Sequence, residues 1–131
     1  MPKKPLTFDE VRKIGLTFPA VEESTAHGSP ALKFRGKLLA CVPINRSAEP
    51  DSLAVSVDLD DRAVLLAEAP DTYYVTEHYR PYEIVLVRLS KLDPDMLRDL
   101  LGMSYGFVSR KSAKPSQALS RRNRRRRPAT P

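Results

Sequence analysis

Residues 31–42 limit the possible folds more than any other stretch of this chain. Ala31-Leu32-Lys33-Phe34-Arg35 alternates with a period of two, Gly36 punctuates it, and Lys37-Leu38-Leu39-Ala40-Cys41-Val42 resumes as an extended run. Successive side chains leave a strand on opposite faces, so Leu32 and Phe34 point one way and Lys33 and Arg35 the other. The pattern predicts a β-hairpin turning at Gly36, with one wet face. Antiparallel sheets tolerate a wet face, whereas parallel sheets are covered on both sides.

The flanking segments supply helices and further strands. Thr7-Phe8-Asp9-Glu10 has the spacing of a capping box, with Leu6 and Val11 placed for a hydrophobic staple. Phe8, Val11 and Ile14 then share one face, predicting a helix over 8–17 that Pro19 stops. Ala20–Ser29 reads as a loop. Beyond the turn-rich residues 45–52, Leu53, Val55 and Val57 mark a third strand. Asp58-Leu59-Asp60-Asp61 opens a second helix, carboxylates at its positive end, and Pro70 closes it. Tyr73–Val75 predicts a short strand, and Ile84-Val85-Leu86-Val87, apolar on both parities, a central one. Asp93-Pro94 is an N-cap followed by a proline where no N–H is needed, and Leu97, Leu100, Leu101 and Val108 continue as a helix over 94–110. Gly102 and Gly106 weaken it. The order is α-β-β-β-α-β-β-α, which predicts an α+β fold: a two-layer sandwich of a twisted antiparallel sheet with helices packed on it.

Composition divides the chain in two. Residues 1–113 have the apolar content of a globular domain, whereas 114–131 are Ser, Lys, Pro, Gln and Arg and are expected to stay unfolded alone. The net charge of +6 hides the same division. Nine basic residues and no acidic ones lie in 110–131; removing them from the 22 leaves 13 basic against 16 acidic residues, so positions 1–109 carry about −3. An attraction to polyanions therefore begins in the tail. A lone Cys41 excludes an internal disulfide and fits an intracellular chain. No apolar run reaches membrane-spanning length, so a cytoplasmic protein, monomeric by default, is expected.

Three groups of residues carry functional readings. Lys33, Arg35 and Lys37 put three cations on one hairpin, suited to phosphate contact or simply to a solvated face that guards a sheet edge. His78 and Arg80, beside Tyr79 and Tyr82, suit base stacking with phosphate contact, or a loop whose tyrosines pack on the sheet. Arg121, Arg122, Arg124, Arg125, Arg126 and Arg127 attract DNA, RNA or acidic headgroups without sequence preference, unless they only solubilise the terminus. Catalytic motifs are missing: there is no phosphate-cradling glycine loop, nucleophile elbow or His-Glu-x-x-His. Cys41 reads as a buried inert thiol, and His27 as a loop histidine. With one cysteine and two histidines no zinc site is expected, Asp58, Asp60 and Asp61 read as helix capping, and no cofactor is expected.

The run His27-Gly28-Ser29-Pro30-Ala31-Leu32-Lys33-Phe34-Arg35-Gly36-Lys37-Leu38-Leu39-Ala40 resembles the signature hairpin of the MmcQ/YjbR family. Phe18-Pro19-Ala20-Val21-Glu22-Glu23 before it, and His78-Tyr79 ahead of Ile84–Val87, resemble that family too. The likeness covers about residues 6–113 and implies a fold similar to frataxin (CyaY). It also implies DNA binding through a double-wing arrangement of sheet and hairpins. Tyr79 stands where many members carry Trp. The expected function is thus a non-enzymatic DNA-binding protein, its hairpin and loop making contacts and its tail adding nonspecific affinity for DNA or RNA. The alternative is a small-ligand or protein-interaction domain with an incidental tail.

Overall fold

The computed structural model describes residues 6–113; the 114–131 tail, with its expected lack of structure, lies outside them. The elements are α1 (Phe8–Gly15), β1 (Val21–Ala26), β2 (Ser29–Phe34), β3 (Lys37–Cys41), β4 (Ser52–Ser56), α2 (Leu59–Glu68), β5 (Tyr73–Tyr74), β6 (Ile84–Arg88), a 3₁₀ turn (Leu89–Lys91) and α3 (Pro94–Ala113). One antiparallel sheet takes the strand order β1-β2-β3-β4-β6-β5. The expected α+β succession holds, with one strand added. That strand is β1, where Ala20–Ser29 read as a loop. Its Glu22-Glu23-Ser24-Thr25 is exposed because β1 is an edge strand, so no alternation announces it.

Helix ends form where the sequence places them. Thr7 and Glu10 close the capping box, the Thr7 hydroxyl accepting from Asp9 and the Glu10 carboxylate accepting from the Thr7 amide at 2.8 Å. The Thr7 hydroxyl also donates to the Glu10 carboxylate at 2.7 Å, and this bond, then the one from the Thr7 amide, holds the Glu10 carboxyl below its ordinary pKa. Asp58 accepts from the Asp60 amide and Asp93 from the Met96 amide, each at 2.8 Å, so both serve as N-caps.

Two tight turns at opposite ends of β2 build the first three strands. Ala26 pairs with Ser29 and Phe34 with Lys37, leaving His27-Gly28 and Arg35-Gly36 as two-residue loops. All four have positive φ: 52° and 83° in the first, 50° and 84° in the second. That is the type I′ geometry, whose twist matches the strands it joins. Within this hairpin Leu32 lies opposite Ala40 and Lys33 opposite Leu38, so Leu39 is a bulge with no partner residue. The fully buried Ser104 on α3 donates its hydroxyl to the Leu39 carbonyl at 3.2 Å. A buried polar pair thus fixes the last helix to the irregular point of the sheet.

The main core lies between the sheet and the helices. Val11 and Ile14 of α1, Leu32 and Phe34 of β2, Leu53 and Val55 of β4, Val85 and Val87 of β6, and Leu97, Leu100, Leu101 and Phe107 of α3 form one cluster. The second sheet face is not simply wet. Ala31, Cys41, Ala54 and Leu86 are buried there under Tyr79, which arrives on the loop after β5. Strand β6 lies between β4 and β5 with Val85, Leu86 and Val87 all buried, which explains its apolar character on both parities. Helix α2 differs from the other two: none of its residues is buried.

Candidate nucleic-acid interface

The β2–β3 turn places Arg35 and Gly36 at the tip of a hairpin, with Lys33 and Lys37 on its two arms. Lys33 lies opposite Glu22 and Leu38 and leaves the sheet on the Tyr79 side. Lys37 lies opposite Phe34 and leaves on the helix side. Arg35 sits at the tip, its guanidinium 5.2 Å from the centre of the Phe34 ring. The three cations therefore surround the tip rather than share one face. Arg35 and Lys37 are exposed and Lys33 is half-buried.

Among the described residues Lys13, Arg46, Lys91, Arg98 and Arg110 also lack an ion-pair partner, so what distinguishes these three is that they gather on one hairpin with their charges unpaired. Arg12 pairs with Asp9 and Glu23, Arg80 with Glu77, Arg88 with Glu49, and Lys111 with Glu83. Arg62 of α2 gives its guanidinium to the carbonyls of Arg80, Tyr82 and Ile84. Among the described residues, no carboxylate lies within ion-pair distance of Lys33, Arg35 or Lys37. Their charge faces solvent and is open to a mobile anion.

The loop between β5 and β6 enters the same end of the sheet. Ile84 follows it and pairs with Ser56, the last residue of β4. Two strands, β3 and β4, separate β6 from β2, a lateral distance of roughly 14 Å at ordinary strand spacing. His78 and Arg80 are exposed, Tyr82 is 55% exposed, and Tyr79 is buried in the second-face cluster. His78 packs edge-on against Tyr79 at 4.7 Å between ring centres. Of the two tyrosines, Tyr79 holds the loop and only Tyr82 is free to stack. Burial pushes the Tyr79 hydroxyl above its usual pKa, a hydrogen bond to the Asn45 backbone working against that rise. Arg80 is engaged by Glu77 at 3.1 Å, so this loop offers less free positive charge than the hairpin. The structure places the two regions at one end of the sheet, and the strands between them, β3 and β4, carry no cation beyond Lys37.

Two arginines that sequence reasoning passed over organise these parts. Arg62 latches α2 to the 80–84 carbonyls and so fixes the loop that carries His78. Arg88 makes a two-pronged contact with Glu49 at 2.9 and 2.7 Å, donates to the Asp71 carbonyl, and lies 4.4 Å from the Tyr74 ring centre. The same contact lowers the Glu49 pKa. Neither arginine has a partner at helical or strand spacing, so pattern alone could not reveal them. His27 occupies the first position of the other type I′ turn and is exposed. Cys41 is buried, and burial raises its thiol pKa, the charge of Lys33 partly offsetting the rise. The arginines at 121, 122 and 124–127 lie outside the described residues.

A six-stranded antiparallel sheet with helices on one face and a cationic hairpin at one end defines an α+β protein of a particular kind. The family model for YjbR matches residues 16–106, most of the chain and nearly all of the described domain, and the chain belongs to the YjbR family. Its structure is similar to the crystal structure of Deinococcus radiodurans protein DR2400, which carries a domain described as DUF419. The TM-score is 0.67 with 19% identity, over 89% of this chain and 88% of that one. At that identity the likeness concerns the fold. No curated protein matches the sequence. No helix among the described residues is long and apolar enough to cross a membrane.

Proposed function

We propose that this YjbR-family protein is a non-enzymatic nucleic-acid-binding module that sets the tip of its β2–β3 hairpin against the phosphate backbone of DNA. One observation carries the reading: Lys33, Arg35 and Lys37 gather within five residues around a single hairpin turn, and none has a carboxylate partner among the described residues. A tight type I′ turn fixes the backbone around Arg35 and Lys37, so these cations are presented at the end of the sheet at small entropic cost to binding. Exposed Tyr82 and His78, at the same end of the sheet, are a secondary contact for an unstacked base. The arginine-rich segment at 121–127 adds affinity by counterion release, for DNA and RNA alike.

The test is the salt dependence of DNA binding by the full chain, by the chain ending at Ala113, and by a full-length Lys33→Ala/Arg35→Ala/Lys37→Ala variant. Each lost phosphate contact lowers the slope of log K against log salt by about 0.9. The triple variant is expected to lose roughly two to three such contacts. Binding by the full chain with a slope that the triple substitution leaves unchanged would show that the hairpin is not the contact surface. Loss of all binding in the chain ending at Ala113 would show that the domain does not read DNA.

A further inference from the structure

On the far side of the core from the hairpin, α2, β5 and α3 leave a cleft of about 160 Å³. Leu65, Met96, Leu100 and Met103 give it apolar walls, and two polar side chains, Tyr73 and Asp99, also line it. Tyr73 is only 7% exposed, and its hydroxyl has no hydrogen-bond partner among the described residues. Two other tyrosines differ: Tyr74 bonds to Ser52 and to the Glu49 amide, and Tyr105 donates to the Pro19 carbonyl. A buried phenol normally finds a partner, because the hydroxyl loses water on burial. Asp99 is exposed at the cleft and has no ion-pair partner among the described residues.

We propose that this cleft is a binding site for a small primary amine with a compact apolar body, about the size of benzylamine. A cavity of about 150 Å³ with similar walls holds one benzene ring, so the volume suits a single ring or a short branched alkyl group. The two methionines add soft, adaptable contacts to a ring. At the polar end an ammonium supplies what both side chains lack, donating to the Asp99 carboxylate and to the Tyr73 oxygen. A carboxylate ligand would meet Asp99 with like charge, whereas an ammonium gains a charge-assisted contact with it, so the class is cationic. The raised pKa of Tyr73, due first to burial and then to the Asp99 charge, agrees with a neutral phenol close to that carboxylate. The assignment is separate from the nucleic-acid reading and stands or falls without it.

Titration of the full chain with benzylamine, followed by the methyl resonances of Met96, Met103 and Leu65, tests it. Saturable shifts are expected, about two- to fivefold weaker in Asp99→Asn and for benzyl alcohol, which keeps the ring and drops the charge. Asp99 is exposed, so Asp99→Asn keeps the fold. Tyr73→Phe is expected to bind the amine several-fold more weakly and, because it removes an orphaned buried hydroxyl, to melt at a higher temperature without ligand. Methyl resonances that do not move, equal affinity for benzyl alcohol, or an Asp99→Asn variant that binds like wild type would each overturn the proposal. A lower melting temperature for ligand-free Tyr73→Phe would do so too, since the hydroxyl would then have a partner in the protein.

Discussion

Replacing Arg35 by asparagine separates what this residue does for the fold from what it does for binding. Arg35 has φ of 50° at the first central position of a type I′ turn. A side chain other than Gly, Asn or Asp costs roughly 1 kcal/mol in that left-handed conformation, and Asn-Gly is the pair the turn prefers. The substitution therefore returns about 0.5–1 kcal/mol through the backbone. Against this stands the loss of the guanidinium over Phe34 at 5.2 Å, worth about 0.5–1 kcal/mol at an exposed site. The two nearly cancel, so Arg35→Asn is expected to fold with stability within about 0.5 kcal/mol of wild type. Its DNA affinity falls, and the salt slope drops by about 0.9, one phosphate contact. Urea denaturation gives the first quantity, and fluorescence anisotropy of a labelled duplex over a salt series gives the second. A loss of more than about 1 kcal/mol would refute the reasoning about the turn. An unchanged slope with stability intact would refute the role of Arg35 in binding.

Two glycines should respond oppositely to alanine. At Gly15 a new methyl would run into the terminal methyl of Leu32, which is fully buried and would have to shift within the packed core. Overpacking of about 1–3 kcal/mol outweighs the helix-propensity gain of at most about 1, so Gly15→Ala should unfold at lower denaturant. At Gly102 the nearest atom is Phe18 Cζ at 3.9 Å, ordinary contact, so Gly102→Ala should gain up to about 1 kcal/mol by the same assay. Cys41 should react slowly with a disulfide reagent at neutral pH and faster as pH rises, because burial raises its pKa. The sign for stability is that of a raised acid: the contribution is complete below the unfolded thiol pKa and is lost as pH climbs through the folded one. A native rate at pH 7 equal to that of the unfolded chain would contradict the burial.

Local chemistry was legible wherever a hydrogen bond closes within a few residues. The Thr7–Glu10 box, the Asp58 and Asp93 caps and the Arg35-Gly36 turn all belong to that class, and each formed as its spacing predicts. Strand β1 escaped because an edge strand buries little, and Glu22-Glu23-Ser24-Thr25 has no apolar alternation to betray it. The burial of Cys41 was legible from its apolar neighbours, but its Tyr79 cover was not, since that arrives from a loop far along the chain. The face of each cation depends on register. That Lys37 leaves opposite Lys33 follows from the two-residue turn and from pairing Lys37 with Phe34, neither of which composition encodes. The latches made by Arg62 and Arg88 span 17 to 39 residues of sequence and answer to tertiary placement alone.

Helix α2 presents no fully buried residue to the body, though Leu65 and Leu66 lean on it half-covered. Elements anchored so lightly open first, well before the whole domain melts. When α2 lifts, Arg62 releases the carbonyls of Arg80, Tyr82 and Ile84, and Leu65 withdraws from the wall beside Tyr73. One excursion would then slacken the His78 loop and empty the amine cleft together, so whatever clamps this helix tightens two distant surfaces at once.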